Sequence, residues 1–134
     1  LSDHRRIMAT LSMADDDASA QRLLDALQAL IEAAPTLPAP AQVDLPSPSG
    51  LELETVMLPR DAFFGPREDV PAREAVGRVA AEQITPYPPG IPVIVPGERI
   101  NEDVVEYLES GLKAGMVLPD PADQSLGTIR VVRE

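Results

Sequence analysis

The run Thr85-Pro86-Tyr87-Pro88-Pro89-Gly90-Ile91-Pro92, continued by Val93-Ile94-Val95 and closed by Pro96-Gly97-Glu98, decides how the rest of the chain is read. Four prolines (Pro86, Pro88, Pro89 and Pro92) fall within seven residues. Each fixes φ and removes a backbone donor, and the residue before each is pushed out of the helical region. The backbone from Thr85 to Pro92 is therefore expected to be stiff, extended and unable to join a regular ladder. Gly90 is the position there that takes φ > 0 without strain. Two roles suit such a segment: a rigid crossover between strands, or a wall that lines a ligand channel or meets a partner.

Working outward, Arg78–Ile84 leads into the proline run as an imperfectly alternating strand, and Val93–Val95 is a short β-branched strand between prolines. Upstream, Pro59–Phe64 suits a short helix with Pro at its first position. Phe63 and Phe64 are expected to anchor a sparse aliphatic core. Arg67-Glu68-Asp69 reads as a charged turn, and Pro71–Val76 as one or two helical turns stopped by Gly77. Downstream, Asn101 is a good N-cap, with Glu102 and Asp103 complementing the positive helix end. Ile100 and Val105 fit a hydrophobic staple. Val104, Val105, Leu108 and Leu112 form the stripe of that helix, and Gly115 suits the position just past its end. Met116–Leu118 reads as a short strand, Pro119–Asp123 as a turn, and Thr128–Arg133 as the last strand.

The N-terminal part has a different character. His4–Met13 alternates with period two and reads as a strand. Asp15-Asp16-Asp17 offers N-cap carboxylates, or alternatively oxygen ligands for a hard cation. A helix over about residues 18–33 follows, with Leu23, Leu24, Leu27, Leu30, Ile31 and Ala34 on its apolar side. Pro35 ends it. Residues 35–50 carry Pro35, Pro38, Pro40, Pro46 and Pro48 among small residues and read as a semi-rigid linker. The expected organisation is thus 1–34, a strand–helix unit; 35–50, the linker; and 51–134, an α+β domain with a small mixed sheet and two or three flanking helices.

The 134 residues carry a net charge of −11. That argues against nucleic acid and anionic membrane surfaces as partners, since both call for cationic surface. Absence of cysteine rules out disulfides and thiolate metal sites. His4 is the single histidine, so a histidine metal site or a Ser-His dyad is not expected. With no apolar run of membrane-spanning length and no visible signal peptide, a cytoplasmic home is the default expectation.

The proline run, with Pro59-Arg60-Asp61-Ala62-Phe63-Phe64-Gly65-Pro66-Arg67-Glu68 and Glu74–Glu82 before it and Ile100-Asn101-Glu102 after it, resembles the signature of the C-terminal domain of the Orn/Lys/Arg decarboxylases. The resemblance covers roughly residues 55–134, including the terminal Thr-Ile-Arg-Val-Val pattern. It implies a pyridoxal-phosphate-dependent parent of the aspartate-aminotransferase fold type, acting on arginine, lysine or ornithine. Residues 1–34 then resemble the last strand–helix unit of that family's small subdomain. The implied partners are the catalytic domain of the same polypeptide and further copies in a homo-oligomer.

No catalytic, cofactor-binding or metal-binding residue is expected within the chain. A pyridoxal-phosphate enzyme needs a lysine for its internal aldimine. Lys113 is the only lysine, and it stands at a helix end without the Ser-x-His-Lys setting that the family places around that residue. The carboxylate pairs Glu52/Glu54, Glu102/Asp103 and Glu106/Glu109 read as strand or helix surface. The candidate channel or interface residues are Pro86, Tyr87, Pro88, Pro89, Gly90, Pro92, Gly97 and Glu98. Two functions stay open at this level: the C-terminal part of a basic amino acid decarboxylase, or a free-standing binding or assembly module derived from it.

Overall fold

The computed structural model describes residues 6–39 and 42–134, so His4 and the start of the expected first strand lie outside the described residues. The chain divides into Leu1–Pro40 and Ala41–Glu134.

In the first unit, helix α1 spans Asp17–Ala33. Asp16 caps it: its carboxylate accepts from Ser19 N at 2.8 Å and Ser19 Oγ at 3.0 Å. Asp15 is likewise occupied, accepting from Ser12 N at 2.7 Å. Asp16 thus caps α1, while Asp15 closes the Ser12–Asp15 turn in front of it. Residues 6–13 form no strand; Ile7 alone makes a bridge. A period-two pattern needs neighbouring strands to pair with. α1 buries none of its residues, and Leu24, Leu27, Leu30 and Ile31 are all exposed.

The second unit is α+β. Strand β1 (Glu54–Thr55) is followed by helix α2 (Pro59–Phe64), strand β2 (Arg67–Pro71), a 3₁₀ turn at Ala72–Ala75, strand β3 (Glu98–Arg99), helix α3 (Glu102–Lys113) and strand β4 (Thr128–Val132). β1 pairs antiparallel with β3, and β2 with β4 in the register Arg67↔Val132 to Pro71↔Thr128. Residues 78–81 join the two pairs. On one side Ala80 N donates to Glu98 O and Gly97 N to Ala80 O, each at 2.8 Å; on the other Val132 N donates to Val79 O at 2.8 Å and Ala81 N to Arg130 O at 2.9 Å. The α+β class expected from the sequence is what the chain has, and the strand pairs among the described residues are antiparallel. The charged turn expected at Arg67–Asp69 is corrected: it is the start of β2, where Glu68 and Asp69 face Arg78 and Arg130 at 2.7 and 2.9 Å. The ladder to β4 makes this polar string a strand, with Asp69 and Arg130 as a directly opposite charge pair.

α3 holds the core together. Asn101 caps it, accepting from Val104 N at 2.8 Å. Its end closes with Gly115 N on Leu112 O (3.0 Å) and Met116 N on Gly111 O (2.9 Å), with Gly115 at φ +92. This pair of bonds is the Schellman arrangement. Val104, Val105 and Leu108 are fully buried against Ile84, Ile94, Ile100, Ile129 and Val131. Burial of such a side chain contributes about 1.5–3 kcal/mol. The linker expected over 35–50 ends sooner than expected, because Val43 lies in this core, Asp44 N donates to Ser110 Oγ at 2.9 Å, and Gly50 O accepts from Asn101 Nδ2 at 2.8 Å.

Candidate functional site

The proline run is a hairpin-like loop mounted on the core. Ile84 and Ile94 pair at its base: Ile84 N donates to Ile94 O, and Val93 N to Ile84 O, both at 3.0 Å. Between them the chain carries Pro86 fully buried, Tyr87 and Pro89 outward, and Gly90 at φ +85 with its N–H on Pro86 O at 2.9 Å. The Tyr87–Pro88 and Pro88–Pro89 peptide bonds are cis. Ile91 and Pro92 are exposed. Gly90 therefore occupies the left-handed region that its residue type allows.

Two features splint this loop. The first is backbone pairing with the segment after α3: Tyr87 N donates to Val117 O at 2.8 Å, and Val117 N donates to Tyr87 O at 3.0 Å. The second is Asp120. One of its carboxylate oxygens accepts from Thr85 N at 2.9 Å; the other accepts from Thr85 Oγ1 at 2.5 Å and Gln83 Nε2 at 3.0 Å. Burial pushes the Asp120 carboxyl up, but the Thr85 hydroxyl, the Thr85 N–H and the Gln83 amide outweigh it and hold the group below its ordinary 3.8. The carboxylate thus stays charged and the splint stays closed at neutral pH.

Behind the loop sits Glu82, a buried carboxylate. It accepts from Ala122 N at 2.7 Å and from Arg130 N at 2.6 Å. It ties β4 to the 119–122 turn that carries Asp120. At the other end, Glu98 accepts from Val95 N at 2.9 Å and closes the Pro96–Gly97 turn. Gly97, at φ +92, lies against the Met57 carbonyl so closely that any Cβ there would collide with it.

The eight expected residues therefore fall on one loop and its closing turn, from Pro86 to Glu98. Tyr87, Ile91 and Val117 present apolar surface. Sequence reasoning missed the parts that hold the loop: Glu82, Val117 and Asp120. Asp120 stands between two prolines and reads as an ordinary turn residue; the one local signal for Glu82 is a lone charge between Ala81 and Ile84.

The phenylalanines overturn a further expectation. Phe63 and Phe64 do not anchor the core: both are exposed, Phe64 to 78%, because α2 buries only Ala62.

Among the described residues, no cluster of three or more His, Cys, Asp or Glu is placed to hold a metal ion. Lys113 is exposed beside a shallow depression of about 160 Å³ lined by Asp44, Arg73, Glu106, Glu109 and Ser110. Arg73 is taken up there by Glu109 at 2.7 Å and Glu106 at 3.5 Å. Three carboxylates against Lys113 and an arginine already paired leave the depression net negative and make no cradle for a phosphate, so these residues do not fit pyridoxal phosphate. No helix is long and apolar enough to cross a membrane among the described residues.

Residues 51–120 match the family described as Orn/Lys/Arg decarboxylase, C-terminal domain. An arginine decarboxylase of Bacillus anthracis is 36% identical over 137 aligned positions, covering 100% of this chain and 27% of the relative. The inducible lysine decarboxylase of Escherichia coli is 42% identical over 71 positions, 48% of this chain and 10% of the relative. The crystal structure of the Francisella novicida lysine decarboxylase LdcF superimposes with a TM-score of 0.53 at 32% identity, over 61% of this chain and 14% of that one. The chain thus spans about a quarter of the length of the arginine decarboxylase it matches throughout. With the proline loop, its flanks and the α+β fold in agreement, the chain belongs to the Orn/Lys/Arg decarboxylase C-terminal domain family.

Proposed function

We propose that this chain works as the C-terminal portion of a pyridoxal-phosphate-dependent decarboxylase of arginine, lysine or ornithine, contributing domain packing and subunit contacts while the chemistry occurs elsewhere in the polypeptide. The observation that carries this is the alignment of the whole chain, both units in order, with a single arginine decarboxylase almost four times as long. The bare apolar side of α1 supports it: Leu24, Leu27, Leu30 and Ile31 are exposed, a face that a folded protein ordinarily covers. Residues 1–34 are, on this reading, the end of the small subdomain of the decarboxylase core, and the cofactor is held by residues outside 1–134.

The splinted proline loop, Pro86 to Glu98, is assigned to the border of the active-site entrance or to a subunit contact. A stiff apolar wall excludes water without the entropy cost of ordering a mobile loop. Oligomeric assembly and a cytoplasmic setting belong to the same proposal.

Intact mass and peptide mapping of the natural protein test it. A polypeptide several hundred residues longer on its N-terminal side, containing a Ser-x-His-Lys setting, is expected. A natural protein that starts at or near Leu1 would overturn the enzymatic reading and leave a free-standing assembly module. Within the longer enzyme, steady-state kinetics of Glu98→Gln with KM unchanged for the basic substrate would remove the channel role.

A further inference from the structure

Three of the four aromatic side chains in this chain face outward: Phe63, Phe64 and Tyr87, with only Tyr107 buried. The two phenylalanines are the more unusual, because they are rigidly mounted and still bare. Ala62 fixes α2 to the body of the unit at 0% exposure. The Leu58 carbonyl accepts from Asp61 N at 3.0 Å and Ala62 N at 3.1 Å. Gly65 closes the helix against Asp61 O, where a Cβ would come within 2.6 Å. Arg67 Nη1 donates to Phe63 O at 3.0 Å, and its guanidinium carbon stands 6.0 Å from the Phe63 ring centre. The rings meet edge to face, 5.1 Å apart at 82°. Just upstream, Leu58 is also exposed.

A pre-ordered aromatic pair bracketed by arginines has the composition of an interface centre, where such anchors carry most of the binding energy. We propose that α2 is the docking face that seats this domain on the remaining portion of its decarboxylase polypeptide. This rests on the reading given above that such a portion exists.

Two observations choose that occupant over a second copy of residues 1–134. The arginine decarboxylase relative carries 73% of its length outside the aligned part (100 − 27), a large surface that a covalent link keeps at high local concentration. Charge points the same way. Arg60 and Arg67 against Asp61 leave residues 58–67 one charge positive in a chain of net −11, and the next carboxylates, Glu68 and Asp69, are taken up by Arg78 and Arg130. A two-fold contact would set this patch against itself, cation to cation. The face therefore calls for an apolar hollow with an acidic rim.

The test is made in the full-length polypeptide with Phe64 replaced by the photo-crosslinker p-benzoylphenylalanine. After irradiation, crosslinked peptides from residues upstream of Leu1 are expected. Crosslinks into residues 41–134 of a second copy, or no protein crosslink at all, overturn the proposal. A second measurement is proteolysis between residues 35 and 50. The double variant Phe63→Ser/Phe64→Ser should be cut about ten-fold faster than the parent, the release expected when an aromatic anchor is lost, whereas Phe64→Tyr should be cut at the parental rate. Equal rates for all three overturn it. Should intact mass reveal no residues upstream of Leu1, the decarboxylase reading fails first and by a separate measurement, and the partner named here falls with it.

Discussion

Asp120 grips Thr85 twice, at the backbone N–H (2.9 Å) and at the hydroxyl (2.5 Å). The proline loop that follows Thr85 thus starts from a fixed point, although prolines can make no ladder of their own. Asp120→Ala should destabilise the chain by about 1–2 kcal/mol, as expected for lost hydrogen bonds to a charged acceptor at a partly solvated site. Urea denaturation measures this. The same variant should speed amide exchange at Tyr87 and Val117 more than in α3.

The Asp120 carboxyl also makes this grip pH-dependent. Its folded-state pKa lies below the ordinary 3.8. A depressed carboxyl contributes stability that is present above its unfolded value and is lost as pH falls through the folded one. Asp123 has the same direction, set first by the Ser125 hydroxyl and then by the backbone N–H groups of Ser125 and Thr128. The unfolding midpoint should therefore be flat near neutrality and fall below about pH 4. Asp120→Asn should show a shallower fall; an unchanged acid limb would mean that Asp120 contributes nothing to it.

Removing the Glu82 carboxylate should cost more. Glu82→Ala leaves the N–H groups of Ala122 and Arg130 without their acceptor in a buried setting. Each such orphan costs about 1–3 kcal/mol, so a total of about 2–6 kcal/mol is expected by chemical denaturation. Glu82→Gln keeps one acceptor oxygen and should fall between the two.

Gly97 and Gly115 share φ +92 but differ in surroundings. Space is open around Gly115, whereas a Cβ at Gly97 strikes the Met57 carbonyl. Gly115→Ala should cost about 1–2 kcal/mol, the penalty of a left-handed L-residue. Gly97→Ala should exceed that clearly, because backbone must also move. Thermal unfolding of the two variants side by side checks the order.

Leu108 and Phe64 give a converse pair. Leu108 is fully buried and Phe64 is not. Leu108→Ala should cost about 2–5 kcal/mol, while Phe64→Ala should stay within about 0.5 kcal/mol in the 134-residue chain. A large loss at Phe64 would place it in a core that the structure does not give it.

What could be read without coordinates was local. Asp16 and Asn101 are caps, Gly90 and Gly115 take positive φ, α2 begins at Pro59, and α3 buries Val104, Val105 and Leu108. Each follows from the backbone preferences of one residue or from a 3.6-residue period, and these act over a few positions of chain. The family, too, was legible, because the proline run is a covalent string and needs no folding to be recognised.

Tertiary structure alone decided which charges and rings are inside. Arg67–Asp69 reads as a turn until Arg78 and Arg130 arrive from elsewhere in the chain to pair it. Val43 reads as linker until the core receives it. Asp120 reads as a turn residue and Glu82 as one position of an imperfect strand until backbone N–H groups 35 to 48 residues away turn to them, and Phe63 and Phe64 read as core until Ala62 takes the inward position. Burial depends on which distant segments meet. That is set by the summed free energy of the whole packed unit, and no short window of sequence carries it.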